Sequence, residues 1–154
     1  MNKQRKPYKK PPQGMSLIEL MVALVIIAII SSVAYPSYQS HMAGARRADA
    51  QAVLMEAAQY MERFYTENNR YDQDTSGTAV ALPAQLTESP RDTGIKSYDI
   101  AVQASTASTY TLRATPKNNQ TGDGFLELTN SFTKSWDADN SGSIGAGEST
   151  WSKY

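Results

Sequence analysis

The stretch Gly14-Met15-Ser16-Leu17-Ile18-Glu19-Leu20-Met21 opens an apolar run that continues to Ala34 and contains one carboxylate, Glu19. From Leu20 to Ser40 there is no Asp, Glu, Lys or Arg. About 20 helical residues, each rising about 1.5 Å, span the roughly 30 Å hydrocarbon layer of a membrane. The run therefore predicts a membrane-spanning helix. Placing a carboxylate at the edge of a membrane costs a few kcal/mol, so the presence of Glu19 indicates a functional role. Such a carboxylate needs a partner, and an amine is the nearest candidate.

Residues 1–14 form a basic leader before this run. The leader contains five Lys or Arg residues, three prolines and no acid. A secretory signal ends in small residues after its apolar core, whereas the small residue here, Gly14, precedes the core. Cleavage after Gly14 would leave the apolar helix on the mature chain. Because Lys and Arg next to a span stay in the cytoplasm, we expect the following domain to lie outside.

Composition limits what the domain can do. The chain has 154 residues, and the part beyond the leader carries 10 basic and 15 acidic groups, a net charge of −5. This charge argues against a surface that binds a DNA duplex. There is no cysteine, which excludes disulfides and thiolate metal sites. The single histidine, His41, has no second ligand or nucleophile near it in sequence, so we expect no enzymatic activity.

The segment from Met42 to about Asn69 has the apolar spacing of an amphipathic helix. Its apolar residues recur every three or four positions and predict a stripe that faces a core: Ala50, Leu54, Ala57, Met61 and Phe64. Charged residues of the same segment fall off the stripe, and we expect them in solvent: Arg46, Arg47, Asp49, Glu56, Glu62, Arg63 and Glu67. The simplest interpretation is one helix of some 50 residues, kinked at Pro36, whose ring removes a backbone donor.

The rest of the chain has the pattern of a small sheet. Residues 72–97 are rich in Thr, Ser, Gly, Asp and Pro, which predicts a surface loop. Alternating apolar residues then predict an antiparallel meander at 98–102, 110–114 and 125–128. The predicted fold class is α+β, with a long N-terminal helix whose second half packs on an antiparallel sheet of three or four strands.

The motif at Gly14 to Met21, followed by an uncharged apolar run, resembles the prepilin motif of type IV pilins. Four further segments are similar to PilE-type minor pilins, so the resemblance extends over nearly the whole chain: residues 35–39, 46–51, 62–68 and 110–116. The resemblance implies the type IV pilin fold. It also implies a leader at 1–14, a transmembrane and filament-core helix at 15–40, and a globular domain at 41–154.

By the same resemblance, a prepilin peptidase would cut between Gly14 and Met15 and methylate the new amino group of Met15. Glu19 would pair with the Met15 amine of a neighbouring subunit in the filament core. The chain would be a structural subunit of a type IV pilus, a minor pilin acting in pilus assembly, twitching motility or adhesion. Its partners would be other pilins through the residue 15–40 helix, the peptidase and the inner-membrane assembly platform. It would cross the inner membrane once before assembly and then lie in the pilus at the cell surface.

The C-terminal segment departs from the family pattern, which usually closes it with a disulfide. Residues 137–148 instead have the spacing of the twelve-residue EF-hand loop. The predicted Ca²⁺ ligands are Asp137, Asp139, Ser141, the Ser143 carbonyl and Glu148, with Gly142 at the sharp turn. The alternative is an ordinary Asp/Asn/Ser/Gly turn between strands, because the sequence predicts no flanking helices.

Other functions stay open at this point. The calcium-like loop favours a pseudopilin of type II secretion, since major pseudopilins look similar in using calcium, whereas Tyr110 to Pro116 favours a pilus. A major pilin and a single-span membrane protein with a calcium-binding ectodomain are further alternatives. A DNA receptor is disfavoured because no Lys/Arg cluster with interleaved aromatics lies outside the leader. Arg46 and Arg47 are interpreted as solvated or intersubunit residues. Trp136 and Trp151 are expected to pack the acidic loop on the sheet.

Overall fold

A computed structural model describes residues 14–92 and 94–152. The predicted leader, except for Gly14, lies outside this part of the chain. The chain forms two compact units, which divide between Gln39 and Ser40.

The first unit contains the beginning of helix α1 (Leu17–Asn68), which has 52 residues and continues through Pro36. Every residue from Gly14 to His41 is exposed. Within the described ranges, α1 is the one helix long and apolar enough to cross a membrane. Glu19 lies in its first turn, where the helix dipole favours an acid. A kink at Pro36 stays a prediction.

In the second unit, the remainder of α1 lies against the core. The predicted stripe is confirmed at four of its positions, and two neighbouring residues are buried with it: Ala50, Val53, Leu54, Ala57, Ala58 and Met61. Phe64 is half-buried, with its ring 6.3 Å from that of Tyr60. The helix ends at Asn68 because Asn69 adopts a left-handed φ of 57°. The N–H of Asn69 donates to the Tyr65 carbonyl at 2.7 Å.

The sheet is antiparallel and has five strands in sequence order. They are β1 (Glu88–Ser89), β2 (Tyr98–Ser105), β3 (Tyr110–Pro116), β4 (Leu126–Thr129) and β5 (Lys134–Trp136). The α+β fold is confirmed, but the predicted count of three or four strands was too low. Strand β1 has two residues, too few to show an alternating pattern.

The segment 72–97 is therefore not only a surface loop. It contains β1 and a 3₁₀ turn at Ala84–Leu86, and it buries Leu86, Ser89 and Ser97. Its buried residues are separated by polar ones without a regular period, so the sequence pattern did not distinguish them from a loop. The backbone holds this segment to β2, because Ile100 N–H donates to the Thr87 carbonyl at 2.7 Å.

One hydrophobic cluster joins the buried face of α1 to one face of the sheet. The sheet contributes alternate residues: Tyr98 and Ile100 from β2, Tyr110, Leu112 and Ala114 from β3, Leu126 and Leu128 from β4, and Trp136 from β5. Fully burying one large apolar side chain contributes about 1.5–3 kcal/mol. Register is consequently fixed, because a slip of one residue would turn a strand's apolar face to solvent.

Gly124 precedes β4 at a point of very close backbone approach. Its φ is 72°, and a Cβ built there would lie 1.7 Å from the Asp137 carbonyl oxygen. The neighbouring Asp137 N–H donates to the Phe125 carbonyl at 3.0 Å, which holds the two backbone segments together. Only glycine fits this position.

We predict that Gly124→Ala destabilises the domain by roughly 2–5 kcal/mol, because it adds a steric clash to an unfavourable φ. Thermal unfolding followed by near-ultraviolet circular dichroism measures the effect. Gly122→Ala is the matched control, since a Cβ there meets nothing within 4 Å and its φ is not positive. Equal melting temperatures for the two variants would contradict the prediction.

Candidate functional site

The predicted processing site lies immediately before α1. Gly14 and Met15 are exposed and non-helical, and most of the surface of Met15 is accessible to solvent. Helical hydrogen bonding begins at the Ser16 carbonyl, which accepts the N–H groups of Glu19 at 3.1 Å and Leu20 at 3.2 Å. The peptide bond after Gly14 is thus open to a protease, and Glu19 is held one turn beyond it.

The predicted calcium ligands meet at a second place, the loop that follows β5. Carboxylate oxygens of Asp137, Asp139 and Glu148 lie within 4.8 Å of one another. Asp137 is 1% exposed, Glu148 is half-buried and Asp139 is exposed. The Ser141 hydroxyl lies 3.4 Å from Asp137 and donates to the Ser143 carbonyl at 3.1 Å. All five residues of the predicted ligand set are therefore brought together.

Backbone amides already neutralise part of this charge. Asp137 accepts the N–H groups of Ser141 at 2.8 Å and Gly142 at 2.9 Å. Glu148 accepts the N–H groups of Ala138 at 2.8 Å and Gly145 at 2.6 Å. These bonds close the loop without a covalent link, and lone pairs remain on each carboxylate for a cation.

The turn itself has the geometry that the sequence spacing requires. Gly142 has a φ of 87°, in the region that the sixth residue of an EF-hand loop uses. Hydrogen bonds from the side chain and backbone of Ser141 lower the pKa of Asp139, so its charged form is favoured. An open cavity of about 690 Å³ lies beside the loop, lined by Trp136, Asp139 and Glu148 among others. Three carboxylates with this access can hold a hard divalent cation.

A third cluster was missed by the sequence reasoning. Arg47 donates from Nε to Asp123 at 2.8 Å and also from its terminal nitrogen, so the pair is bidentate. The same carboxylate accepts the Tyr98 hydroxyl at 2.6 Å, and the Asp123 carbonyl accepts the Trp136 indole N–H at 2.6 Å. The Arg47 guanidinium stacks 3.6 Å from the Trp136 ring centroid. We call these four residues, Arg47, Tyr98, Asp123 and Trp136, the Asp123 cluster.

The expectation that Arg47 is solvated or pairs between subunits was wrong. Its side chain is only 17% exposed and that of Asp123 is 12% exposed. The helical pattern placed Arg47 off the apolar stripe, but it could not show that an acid 76 residues later reaches it. Burial and the hydrogen bond to Asp123 raise the pKa of Tyr98, which keeps the hydroxyl protonated as a donor.

Glu62 was also expected in solvent and instead accepts two tyrosine hydroxyls. Tyr71 donates to it at 3.0 Å and Tyr110 at 3.1 Å. Burial and the nearby Glu62 raise the pKa of Tyr71 to about 12. The rings of Tyr71 and Tyr110 meet edge to face at 4.8 Å, so this cluster fixes the C-terminal part of α1 to β3.

The two tryptophans pack the C-terminal loop as expected. Trp136 is 3% exposed, and its backbone N–H donates to the Glu148 carbonyl at 3.0 Å. The Trp151 indole donates to the Glu127 carbonyl at 3.0 Å, and its own carbonyl accepts from Gln51 of α1 at 3.2 Å. Loop and tail are thereby held to both the sheet and the helix.

Most cations of the described domain are already neutralised. Six form ion pairs with carboxylates: Arg47, Arg63, Arg70, Arg91, Arg113 and Lys117. Lys96 donates to the carbonyls of Pro90 and Arg91, both at 2.8 Å. Lys134 lies over the Trp151 ring at 5.1 Å. Within the described ranges, therefore, no cluster of unpaired cations could bind several phosphates of a nucleic acid at once.

A single N-terminal helix, apolar and exposed in its first half and packed on an antiparallel sheet in its second, defines the type IV pilin class. The comparisons with known proteins agree. Residues 9–35 match the prokaryotic N-terminal methylation motif. Residues 36–129, more than half of the chain, match the family described as type IV minor pilin ComP, DNA uptake sequence receptor. The chain belongs to this family of type IV minor pilins.

Individual relatives are more distant. The chain is 28% identical over 71 residues to the type IV major pilin PilE1 of Neisseria gonorrhoeae, which covers 46% of this chain and 43% of that protein. It is 26% identical over 73 residues to the fimbrial protein EcpC of Eikenella corrodens, covering 47% and 48%. The matches thus span less than half the length of these relatives.

Among solved structures, the chain resembles the non-core minor pilin PilV of Neisseria meningitidis. The TM-score is 0.50 at 20% sequence identity, covering 70% of this chain and 97% of that chain. At this identity the likeness shows the fold.

We predict that Asp123→Ala costs about 3 kcal/mol, because it leaves the Arg47 guanidinium and the Tyr98 hydroxyl unpaired in a mostly buried site. The melting temperature of the domain should fall by roughly 10–15 °C. Tryptophan fluorescence should report the loss at Trp136. The control is Glu67→Ala, whose pair with Arg63 is long at 4.0 Å and has both side chains more than half exposed. Removing an exposed pair should change stability by less than about 0.5 kcal/mol. Similar losses in both variants would refute a special role for Asp123.

Proposed function

We propose that the chain enters a type IV pilus as a minor subunit after cleavage between Gly14 and Met15. The observation that carries the proposal is the isolated acid: Glu19 lies in the first turn of a helix whose residues are exposed as far as His41. An exposed apolar helix needs a lipid or protein environment. The inner membrane would supply lipid before assembly, and the helices of neighbouring subunits would surround it in the filament.

The proposed chemistry concerns the end of the mature chain. Hydrolysis of the Gly14–Met15 peptide bond frees an amine at Met15. The peptidase then transfers a methyl group to this amine from a methyl-sulfonium donor, which leaves as the thioether; the amine releases one proton in the transfer, and the methylated amine is protonated again at neutral pH and stays positively charged. In a filament core of packed helices, an unpaired Glu19 would be costly, whereas pairing with the amine of a neighbouring subunit offsets much of that cost. The pair would favour one axial stagger between subunits. The assembly platform of the inner membrane would supply the force for insertion.

To test this role, a strain lacking the chain is complemented with wild type or with Glu19→Ala. We expect the variant to reach the membrane normally but to fall at least about tenfold in the sheared filament fraction, because the amine loses its partner. Immunoblots of both fractions measure the ratio. Ser32→Ala is the control, since Ser32 lies on the same exposed helix and bonds locally to the Ile29 carbonyl. Equal recovery of both variants would contradict the proposal.

Mass spectrometry of the recovered chain tests the processing step. The expected species begins at Met15 and carries one added methyl group. A chain that keeps residues 1–14 would indicate a single-span membrane protein instead. Normal surface pili in the strain lacking the chain would limit the role to an accessory subunit or a secretion pseudopilin.

We also propose that the loop from Asp137 to Glu148 binds Ca²⁺ in place of a disulfide. The donor set supports this, because three carboxylates converge around a glycine turn and the Ser143 carbonyl lies within the same loop. Ca²⁺ takes six to eight oxygen ligands, which the loop and water can supply together. Such a cation would neutralise carboxylates whose hydrogen bonds within the described loop come from backbone amides and the Ser141 hydroxyl.

Calcium at a hundredfold excess over its Kd should stabilise the native domain by about 2.7 kcal/mol, and a chelator should reverse the effect. Differential scanning calorimetry with and without Ca²⁺ measures this. Asp137→Ala should abolish the response. The matched control is Asp74→Ala, because Asp74 also accepts backbone N–H groups, from Ser76 and Thr78, but belongs to no cluster of three acids among the described residues. A melting temperature indifferent to Ca²⁺ would refute the site.

A second candidate function is DNA reception at the pilus surface. The observation that favours it is the family match, whose description names a DNA uptake sequence receptor. The sequence predicts that nucleic acid is an improbable partner, and that stays a prediction. Six cations of the described domain form ion pairs, which leaves few of them for phosphate contacts. If the chain contacts DNA, the contact must rely on something other than charge neutralisation.

A further inference from the structure

Two consecutive arginines of α1 have different surroundings. Arg47 is paired with Asp123 and stacked on Trp136. Arg46 is partly exposed, and among the described residues its side chain has no hydrogen bond, ion pair or ring contact. The other five arginines of the described ranges all pair with a carboxylate. The fold therefore leaves one guanidinium charge without an internal partner.

Arg46 is also the first Asp, Glu, Lys or Arg residue after the proposed membrane span. From Leu20 to Ala45 the sequence contains none of these residues, and this whole stretch belongs to α1. At about 1.5 Å per residue, the helix is about 39 Å long between Leu20 and Arg46. Transmembrane helices tilt by about 20° on average, which reduces the depth that this length spans to about 37 Å.

This depth corresponds to the headgroup layer on the far side of a bilayer. The hydrocarbon takes about 30 Å and the headgroups extend a bilayer to about 40–45 Å, so the far headgroup layer ends about 36 Å from the near hydrocarbon edge. Side chains of a helix lean toward its N-terminus, which for Arg46 is the direction of the membrane. Arginine also extends its charged end toward the polar layer while its stem follows apolar surface. The guanidinium can thus reach the level of the lipid phosphates.

The neighbouring side chains of α1 suit the same placement. Tyr35 is 66% exposed and Tyr38 is 64% exposed, and tyrosines are enriched where a membrane meets water. Asp49 is also exposed and has no partner among the described residues, but it lies about one turn further from the span. An anionic membrane surface favours this order, with the cation nearer to the lipid than the acid.

We propose that Arg46 binds the phosphate of an anionic phospholipid at the outer face of the inner membrane before the subunit enters a filament. This inference rests on the proposed function, because it requires that α1 crosses the membrane. The planar guanidinium can donate two parallel hydrogen bonds to a phosphate, which suits this contact. The contact holds the span at a defined depth, and it is released when the subunit leaves the membrane.

The test measures how the full-length chain retains phospholipids in a neutral detergent, by native mass spectrometry. The five leader cations are replaced by glutamine in every variant, so that the leader does not bind lipid. The two probes are phosphatidylglycerol and phosphatidylcholine with identical acyl chains. We expect phosphatidylglycerol to bind about fivefold more tightly, because one cation near an anionic lipid surface contributes about that much.

Arg46→Gln should abolish this preference. Its melting temperature should stay unchanged, because Arg46 has no contact among the described residues that the substitution would remove. Arg46→Lys should keep most of the preference, since the charge remains. Arg63→Gln is the matched control and should keep all of it. Arg63 lies on the same helix about 26 Å further from the span, and its side chain is 69% exposed.

The outcomes separate the headgroup contact from the proposed membrane crossing. If the chain does not float with phosphatidylcholine vesicles in a density gradient, both proposals are overturned. If it floats but Arg46→Gln still prefers phosphatidylglycerol, only the headgroup contact is overturned. The water-soluble headgroup glycerophosphoglycerol should not compete with the lipid, because only the lipid is held beside Arg46 by the span. Competition at equal concentration would overturn the membrane-bound contact. So would an Arg46→Gln chain that keeps its lipid preference but is lost from sheared filaments, since Arg46 would then contact another pilin.

Discussion

The carboxylate of Asp123 is the contact on which the arrangement of helix and sheet depends. It lies in the connection between β3 and β4, yet it binds Arg47 of α1 and Tyr98 of β2, while its carbonyl accepts the Trp136 indole of β5. The hydrophobic effect is non-directional, so the same apolar residues could be buried in many similar arrangements of helix and sheet. A bidentate ion pair has one geometry, so Asp123 selects one placement of α1 on the sheet.

The same chemistry replaces covalent closure at the C-terminus. A disulfide acts mainly by restricting the unfolded chain, whereas the bonds of Asp137 and Glu148 to backbone amides exist only in the folded state. If the proposed Ca²⁺ binds here, closure by carboxylates would respond to its concentration, whereas a disulfide would not. Gly124 contributes to the same closure of the C-terminal loop, since its lack of a side chain allows the Asp137 carbonyl to approach the backbone.

Sequence reasoning succeeded where periodicity carries the information. The stripe from Ala50 to Met61 and the alternation in β2 to β4 follow directly from helical and strand spacing. It failed where the cause is a contact distant in sequence or an element too short for a pattern. Strand β1 has two residues, and Arg47 is buried by an acid that no local rule connects to it. The convergence of Asp137, Asp139 and Glu148 could be predicted because all three lie within one short motif, and their binding of calcium stays a prediction.

The pairing of charges also decides which surfaces remain for recognition. In the described domain the fold uses most cations internally, and each ion pair so formed lowers the potential that could attract a polyanion. Exposed segments without acids in the described ranges include the apolar helix from Leu20 to His41 and the hairpin that presents Phe132. Contacts through such surfaces rely on packing and stacking, which salt weakens little. A subunit of this kind can therefore be recognised by shape in a medium of variable ionic strength.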